Sequence, residues 1–162
     1  MADFSLTDQF GRPVDQSTYR GHYLLVYFGF THCKVVCPRS LARLSSVLER
    51  LGEAADAVTP LYITVDPARD TPEVMRSYLE QSYPRFTGLT GTEAQIDAAK
   101  KAFRVFAQRR PDDKDSERYD VPHTAIAYLM SPAGAYLAHF TDAVDEDTVV
   151  QRMAAYLRRV SD

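Results

Sequence analysis

Tyr23-Leu24-Leu25-Val26-Tyr27-Phe28-Gly29-Phe30-Thr31-His32-Cys33-Lys34-Val35-Val36-Cys37-Pro38 is the stretch on which the fold turns. Its first six residues form a continuous apolar, β-rich run of strand length, the pattern of a central strand covered on both faces. The run leads directly into a turn that holds both cysteines of the chain. Pro38 suits the first position of a helix. Leu41, Leu44, Val47, Leu48 and Leu51 then repeat at helical spacing, and Gly52 marks the stop. Thiols at i and i+4 lie on one face of a helical turn, with Cα atoms roughly 6 Å apart, inside the range a disulfide accepts. Two reduced sulfurs at that spacing also converge on one soft metal ion. The pair is a redox couple, a metal clamp, or both. Burial as two small hydrophobes is the bland alternative, and a Gly/Pro/His-punctuated turn argues against it.

Outward from this stretch, strands and helices alternate. Phe4-Ser5-Leu6 and Pro13-Val14 flank Asp8-Gln9-Phe10-Gly11, a β-hairpin with Gly at its turn. Leu61 to Val65 is a second buried strand, ending at Asp66-Pro67. Thr71-Pro72-Glu73 supplies an N-cap, a Pro at the first helical position and an acid in the first turn, for a helix through about Gln81. Thr92 caps a helix expected to run to about Phe106. Gln108 to Val121 reads as an exposed loop, Thr124 to Met130 as a strand, and Ser131-Pro132-Ala133-Gly134 as a turn into a strand from Ala135 to Phe140. Asp145 opens a closing helix to about Arg159. With no repeat or linker, residues 1–162 read as a single domain. The expected fold is α/β and thioredoxin-like: a central mixed sheet flanked by helices, with an N-terminal β-hairpin. Sites in such sheets lie beyond the carboxyl ends of the strands, where Cys33, Cys37 and Asp66 fall.

Composition narrows the function. Apolar residues make up 45% and the net charge is −3, with basic doublets only at Arg109-Arg110 and Arg158-Arg159, so no phosphate-binding face for nucleic acid is expected. No apolar stretch reaches the ~18–20 residues of a membrane span. The start, Met1-Ala2-Asp3-Phe4, has neither the basic nor the apolar region of a secretory signal. Taken literally this is a cytoplasmic product, although a domain cut from behind a signal or anchor would begin the same way. A C-x3-C pair is not the C-x-x-C of thioredoxin, and four ligands at zinc-site spacing are missing.

Four histidines are candidates to complete a dithiolate site. His22 precedes the first long strand, at the wrong end of the sheet. His32 adjoins Cys33 but points away from it in an extended turn. His139 reads as an exposed or packing residue on the last strand. His123, between the polar loop and a buried strand, is open to a structural or a functional role. Asp66 is either a turn residue ahead of Pro67 or a group that orients the site. Asp70 reads as helix capping.

Three motifs carry a resemblance: Phe30-Thr31-His32-Cys33-x-x-x-Cys37-Pro38, then Val65-Asp66-Pro67-x-x-Asp70-Thr71-Pro72-Glu73, then His123 before an apolar strand ending Tyr128-Leu129-Met130-x-Pro132-x-Gly134. In this order and spacing the chain resembles the Sco/SenC family, thioredoxin-fold proteins that bind copper and serve cytochrome c oxidase assembly. The resemblance implies a copper-binding metallochaperone, not an enzyme, holding one copper, Cu(I) or Cu(II), on Cys33, Cys37 and His123. It implies delivery of copper to, or reduction of the cysteines of, the dinuclear copper site of oxidase subunit II, with subunit II or another copper protein and a copper donor or thiol reductant as partners of a monomer. It also implies a soluble, membrane-anchored domain in the bacterial periplasm or, alternatively, the mitochondrial intermembrane space. Two positions depart from the family: Lys34-Val35-Val36 replaces its usual Pro-Asp-Val, and Pro122 its usual Asp. Lys34 favours thiolate beside Cys33 and repels a bound cation. Pro122 stiffens the approach to His123 and deletes an acceptor next to it. A metal-independent thiol–disulfide oxidoreductase using Cys33 and Cys37 is the alternative function. A thiol peroxidase is a third, without the lone cysteine and paired arginine that would mark it.

Overall fold

The computed structural model describes residues 4–31, 36–103, 126–141 and 144–160, with the backbone alone at 36–37 and 158–160. The N-terminal hairpin is present as β1 (Ser5–Asp8) and β2 (Pro13–Asp15), antiparallel, with Gly11 at φ +80° in the turn. A 3-10 turn at Gln16–Tyr19 follows, capped by the Asp15 carboxylate. The long apolar run is β3 (Tyr23–Gly29), buried at every position. The cysteine turn leads into α1 (Val36–Leu51), and a 3-10 turn (Gly52–Ala57) leads into β4 (Val58–Thr64). Then come α2 (Pro72–Ser82), β5 (Thr87–Thr90), α3 (Glu93–Ala102), β6 (Ile126–Met130), β7 (Tyr136–Thr141) and α4 (Glu146–Val160).

Among the described residues the strands form one mixed sheet in the order β2-β1-β5-β4-β3-β6-β7. β3, β4 and β5 run parallel, while β1, β6 and β7 run antiparallel to their neighbours. This is the thioredoxin-like arrangement expected, with the parallel strands central and buried. Alternation along β3 divides the core in two. Tyr23, Leu25 and Tyr27 pack with Leu41, Leu44, Val47 and Leu48 of α1, Met75 and Leu79 of α2, and Val149, Met153 and Leu157 of α4. Leu24, Val26 and Phe28 pack on the other face with Leu61, Ile63, Leu89 and, from α3, Ile96 and Ala99. Each fully buried side chain of this size contributes about 1.5–3 kcal/mol, so the paired faces fix β3 in the centre of the sheet. On the first face four tyrosines form a row: Tyr27 and Tyr62 at 6.1 Å between ring centroids, Tyr62 and Tyr78 at 6.3 Å, Tyr78 and Tyr83 at 5.7 Å.

Three boundaries and one whole strand differ from the sequence expectation. α1 starts at Val36, so Pro38 lies within its first turn instead of opening it. That is tolerated because first-turn N–H groups have no intrahelical acceptor. β4 starts at Val58, and Pro60 sits where only β3 is paired, β5 joining from Leu61. α3 ends at Ala102, because Phe103 turns its ring against Phe28 at 5.6 Å, Tyr128 at 5.8 Å and Phe4 at 6.2 Å. β5 is a strand the sequence reading did not anticipate. The expected loop from Gln108 to Val121 lies outside the described residues.

Candidate functional site at the carboxyl end of the parallel strands

β3 delivers the chain to the cysteine turn through Phe30, which is buried, and Thr31. The pairing with β4 extends one step past the strands, Val65 N–H donating to the Gly29 carbonyl at 2.8 Å. Thr31 is then held by Asp70, whose Oδ2 accepts its backbone N–H at 3.0 Å and whose Oδ1 accepts its hydroxyl at 2.5 Å. The same Oδ2 accepts the Thr64 hydroxyl at 2.7 Å, at the end of β4. The Thr90 hydroxyl, at the end of β5, donates to the Asp70 carbonyl at 2.7 Å. Asp70 has no exposed surface. A carboxylate in that position is costly unless its oxygens are satisfied, and three hydroxyl and amide donors do so here.

Asp70 is therefore not the helix cap that the sequence suggested. Thr71 is the cap, its Oγ1 accepting from Val74 N–H at 3.3 Å. Asp70 stands one residue earlier, inside the protein, and joins the carboxyl ends of three strands. The sequence offered a faint signal for it: Thr31 and Thr64 each follow or close an apolar strand run, a supply of hydroxyls at one end of the sheet, whereas Thr90 closes a strand with no such run.

Asp66 does occupy the turn expected of it, its carbonyl accepting from Arg69 N–H at 3.2 Å and Asp70 N–H at 3.0 Å. It is also 1% exposed, with its N–H donating to Thr64 Oγ1 at 2.9 Å. Its carboxylate is paired with Arg69 Nε. The Arg69 guanidinium carbon lies 6.0 Å from the centroid of the Phe30 ring, so this ion pair closes over the last buried residues of β3's exit.

Cys37 is in the first turn of α1, where the aligned peptide dipoles favour negative charge. The next residue, Pro38, has its carbonyl hydrogen-bonded by the Tyr83 hydroxyl at 3.2 Å, which ties this turn to the end of α2. Cys33, His32 and His123 lie outside the described residues. His22 is exposed at the opposite end of β3. His139 is exposed on β7, hydrogen-bonded through Nδ1 to the Tyr136 hydroxyl. Among the described residues no group of three or more His, Cys, Asp or Glu side chains could hold a metal ion, and no helix is long and apolar enough to cross a membrane.

Comparison with known proteins matches residues 1–158 to the SCO1/SenC family model. The chain is 41% identical over 137 residues to an SCO2-like protein of Rickettsia prowazekii, covering 85% of this chain and 67% of that one. It is 40% identical over 157 residues to the mitochondrial SCO1 homolog of Mus musculus, covering 96% of this chain and 55% of that one. It thus spans about two thirds and about half of their lengths. Among solved structures, copper-bound ScoI of Arabidopsis thaliana superposes with a TM-score of 0.88 at 30% identity, covering 97% of each chain. Copper-bound ScoI of Bradyrhizobium japonicum gives 0.81 at 39%, covering 97% of this chain and 96% of that one.

Proposed function

We propose, because this chain belongs to the SCO1/SenC family, that it is a copper-binding metallochaperone serving assembly of cytochrome c oxidase. The observation that carries the reading is the strand-end architecture around the cysteine turn. Thr31 enters it anchored to Asp70, and Cys37 leaves it in the first turn of α1. The related ScoI folds that superpose on this chain hold copper.

Cys33, Cys37 and His123 are the proposed ligands, with Asp66 in support through the turn it forms. Two thiolates and an imidazole suit copper in both oxidation states: the soft sulfurs select Cu(I), and the nitrogen is what Cu(II) prefers. Copper is cargo. One ion binds per chain, displacing the thiol protons, and is handed to the thiolates of an acceptor by ligand exchange. The acceptor is oxidase subunit II or another copper protein, met by a monomer whose whole chain is one domain. The proposed compartment is the bacterial periplasm, the mitochondrial intermembrane space being its counterpart.

Titration of the reduced protein with copper tests this. One copper per chain is expected, with sulfur-to-Cu(II) charge-transfer absorption that is largely lost in His123→Ala while Cu(I) binding is weakened but retained. A reduced chain that takes up no copper overturns the proposal. The thiol–disulfide alternative uses the same sulfurs without the imidazole: one thiolate attacks a partner disulfide and the other resolves the mixed disulfide. Equal copper binding by wild type and His123→Ala in both oxidation states favours it.

A further inference from the structure

Thr31 is two residues ahead of Cys33, and both of its donors, N–H and hydroxyl, go to a single carboxylate. That carboxylate belongs to Asp70, a residue of the turn between β4 and α2 that has no exposed surface. The carboxylate also accepts from the Thr64 hydroxyl at the end of β4, while the Asp70 backbone carbonyl accepts from the Thr90 hydroxyl at the end of β5. Burying a carboxylate solely to fasten a loop costs more than a neutral side chain would. Here the loop it fastens is the one that leads into the thiol pair.

We infer that Asp70 is a positioning residue for Cys33 and Cys37. Its carboxylate ties Thr31 to the end of β4, which anchors the chain two residues ahead of Cys33. Less freedom is then lost when a bond joins the Cys33 sulfur to that of Cys37, so the effective concentration of one thiol at the other is higher. The inference rests on the reading of the two cysteines as a functional pair. It does not depend on copper, since the same restriction acts on the disulfide. In exchange with oxidised glutathione, a Cys33–Cys37 S–S bond forms as the glutathione S–S bond breaks. The two thiol protons end on two reduced glutathiones, so the protein is oxidised and glutathione reduced.

The test is the equilibrium constant of that exchange, measured on the full chain in glutathione buffers by alkylation and mass spectrometry. Asp70→Ala is expected to lower it about tenfold, equivalent to a potential about 30 mV more positive. Asp70→Asn should stay near wild type, because the amide oxygen can accept the two donors on Oδ2 while its NH2 donates to the Thr31 hydroxyl. Thr31→Val should move the constant in the same direction as Asp70→Ala, by about threefold if one of the anchoring hydrogen bonds is lost, and Thr31→Ser should restore it. A role confined to overall stability weakens oxidised and reduced chains alike and leaves the constant unmoved. A folded Asp70→Ala with the wild-type constant therefore overturns the inference. So does Asp70→Asn falling as far as Asp70→Ala, which transfers the effect to charge, or a wild-type chain that forms no disulfide. Should Asp70→Ala not fold, the Thr31 pair decides, and equal constants for Val and Ser overturn it. Copper stoichiometry measured on the same samples separates the two readings: an Asp70-dependent disulfide in a chain that binds no copper leaves this inference standing and removes the metallochaperone.

Discussion

A methyl group at Gly88 would sit 2.9 Å from Leu79 Cδ1, 3.0 Å from Met75 Cε and 3.1 Å from Met75 Cβ, whereas one at Gly52 meets nothing within 4 Å. The two glycines exist for different reasons. Gly88 lets α2 lie against β5, and Gly52 adopts φ +61° to end α1. Gly88→Ala is expected to cost about 1–3 kcal/mol through overpacking, and Gly52→Ala roughly 1–2 kcal/mol through backbone strain. Urea unfolding checks both, and an unchanged midpoint for Gly88→Ala would show that α2 can shift without loss. At this scale the rare chemistry of the chain was legible: two cysteines beside a strand exit, and the Asp66 turn, stood out in the sequence. Asp70 was misread because its partners Thr31 and Thr90 are 39 and 20 positions away. A chain read along its length shows Thr71-Pro72 beside Asp70 and suggests a cap. Only folding brings the threonines to it.

The helices whose ends carried side-chain signals are where the reading was most accurate. Thr92 accepts from Gln95 N–H at 3.1 Å while Gln95 Oε1 accepts from Thr92 N–H at 3.0 Å, so two donors of α3 are satisfied reciprocally. Thr92→Ala should cost about 1 kcal/mol, measured by urea unfolding. α4 is capped by Asp145, whose carboxylate accepts Thr148 N–H at 2.7 Å. That bond holds its pKa below the ordinary carboxylate value. The cap therefore contributes stability above the ordinary value, and loses it as pH falls through the lower folded one. The gap in unfolding midpoint between wild type and Asp145→Ala should narrow over that acid range. A gap constant with pH would show that the charge contributes nothing. β5 escaped notice because Thr87-Gly88-Leu89-Thr90 has one strong apolar residue and a glycine. Its strand character comes from β4 on one side and β1 on the other, not from its own residues.

The sheet order was the least legible level, since β1 pairs with β5, and β3 lies between β4 and β6, through contacts remote in sequence. What the sequence did convey was the class: buried parallel strands alternating with helices, then a hairpin and a last helix. The assembled core has a consequence at high pH. Burial, aided by the Asp8 charge, pushes the Tyr19 pKa up to about 12, and burial raises those of Tyr23 and Tyr128 above the ordinary 10.0. Native chains keep these phenols neutral while unfolded ones ionise. The stability they contribute is whole below 10.0 and is lost as pH rises toward about 12. Unfolding midpoints should fall across that range, together with late tyrosinate absorption. Stability flat to pH 12 would contradict it. Light offers one more use of these rings. The chain has ten tyrosines and no tryptophan, so its ultraviolet emission is tyrosine emission alone. The row from Tyr27 through Tyr62 and Tyr78 to Tyr83 ends on the Pro38 carbonyl, one residue from Cys37. Excitation passing between rings so close together can drain toward whatever absorbs at that end. With copper held at the cysteines as proposed, this row would serve as an antenna toward it, and tyrosine emission should fall as copper is added.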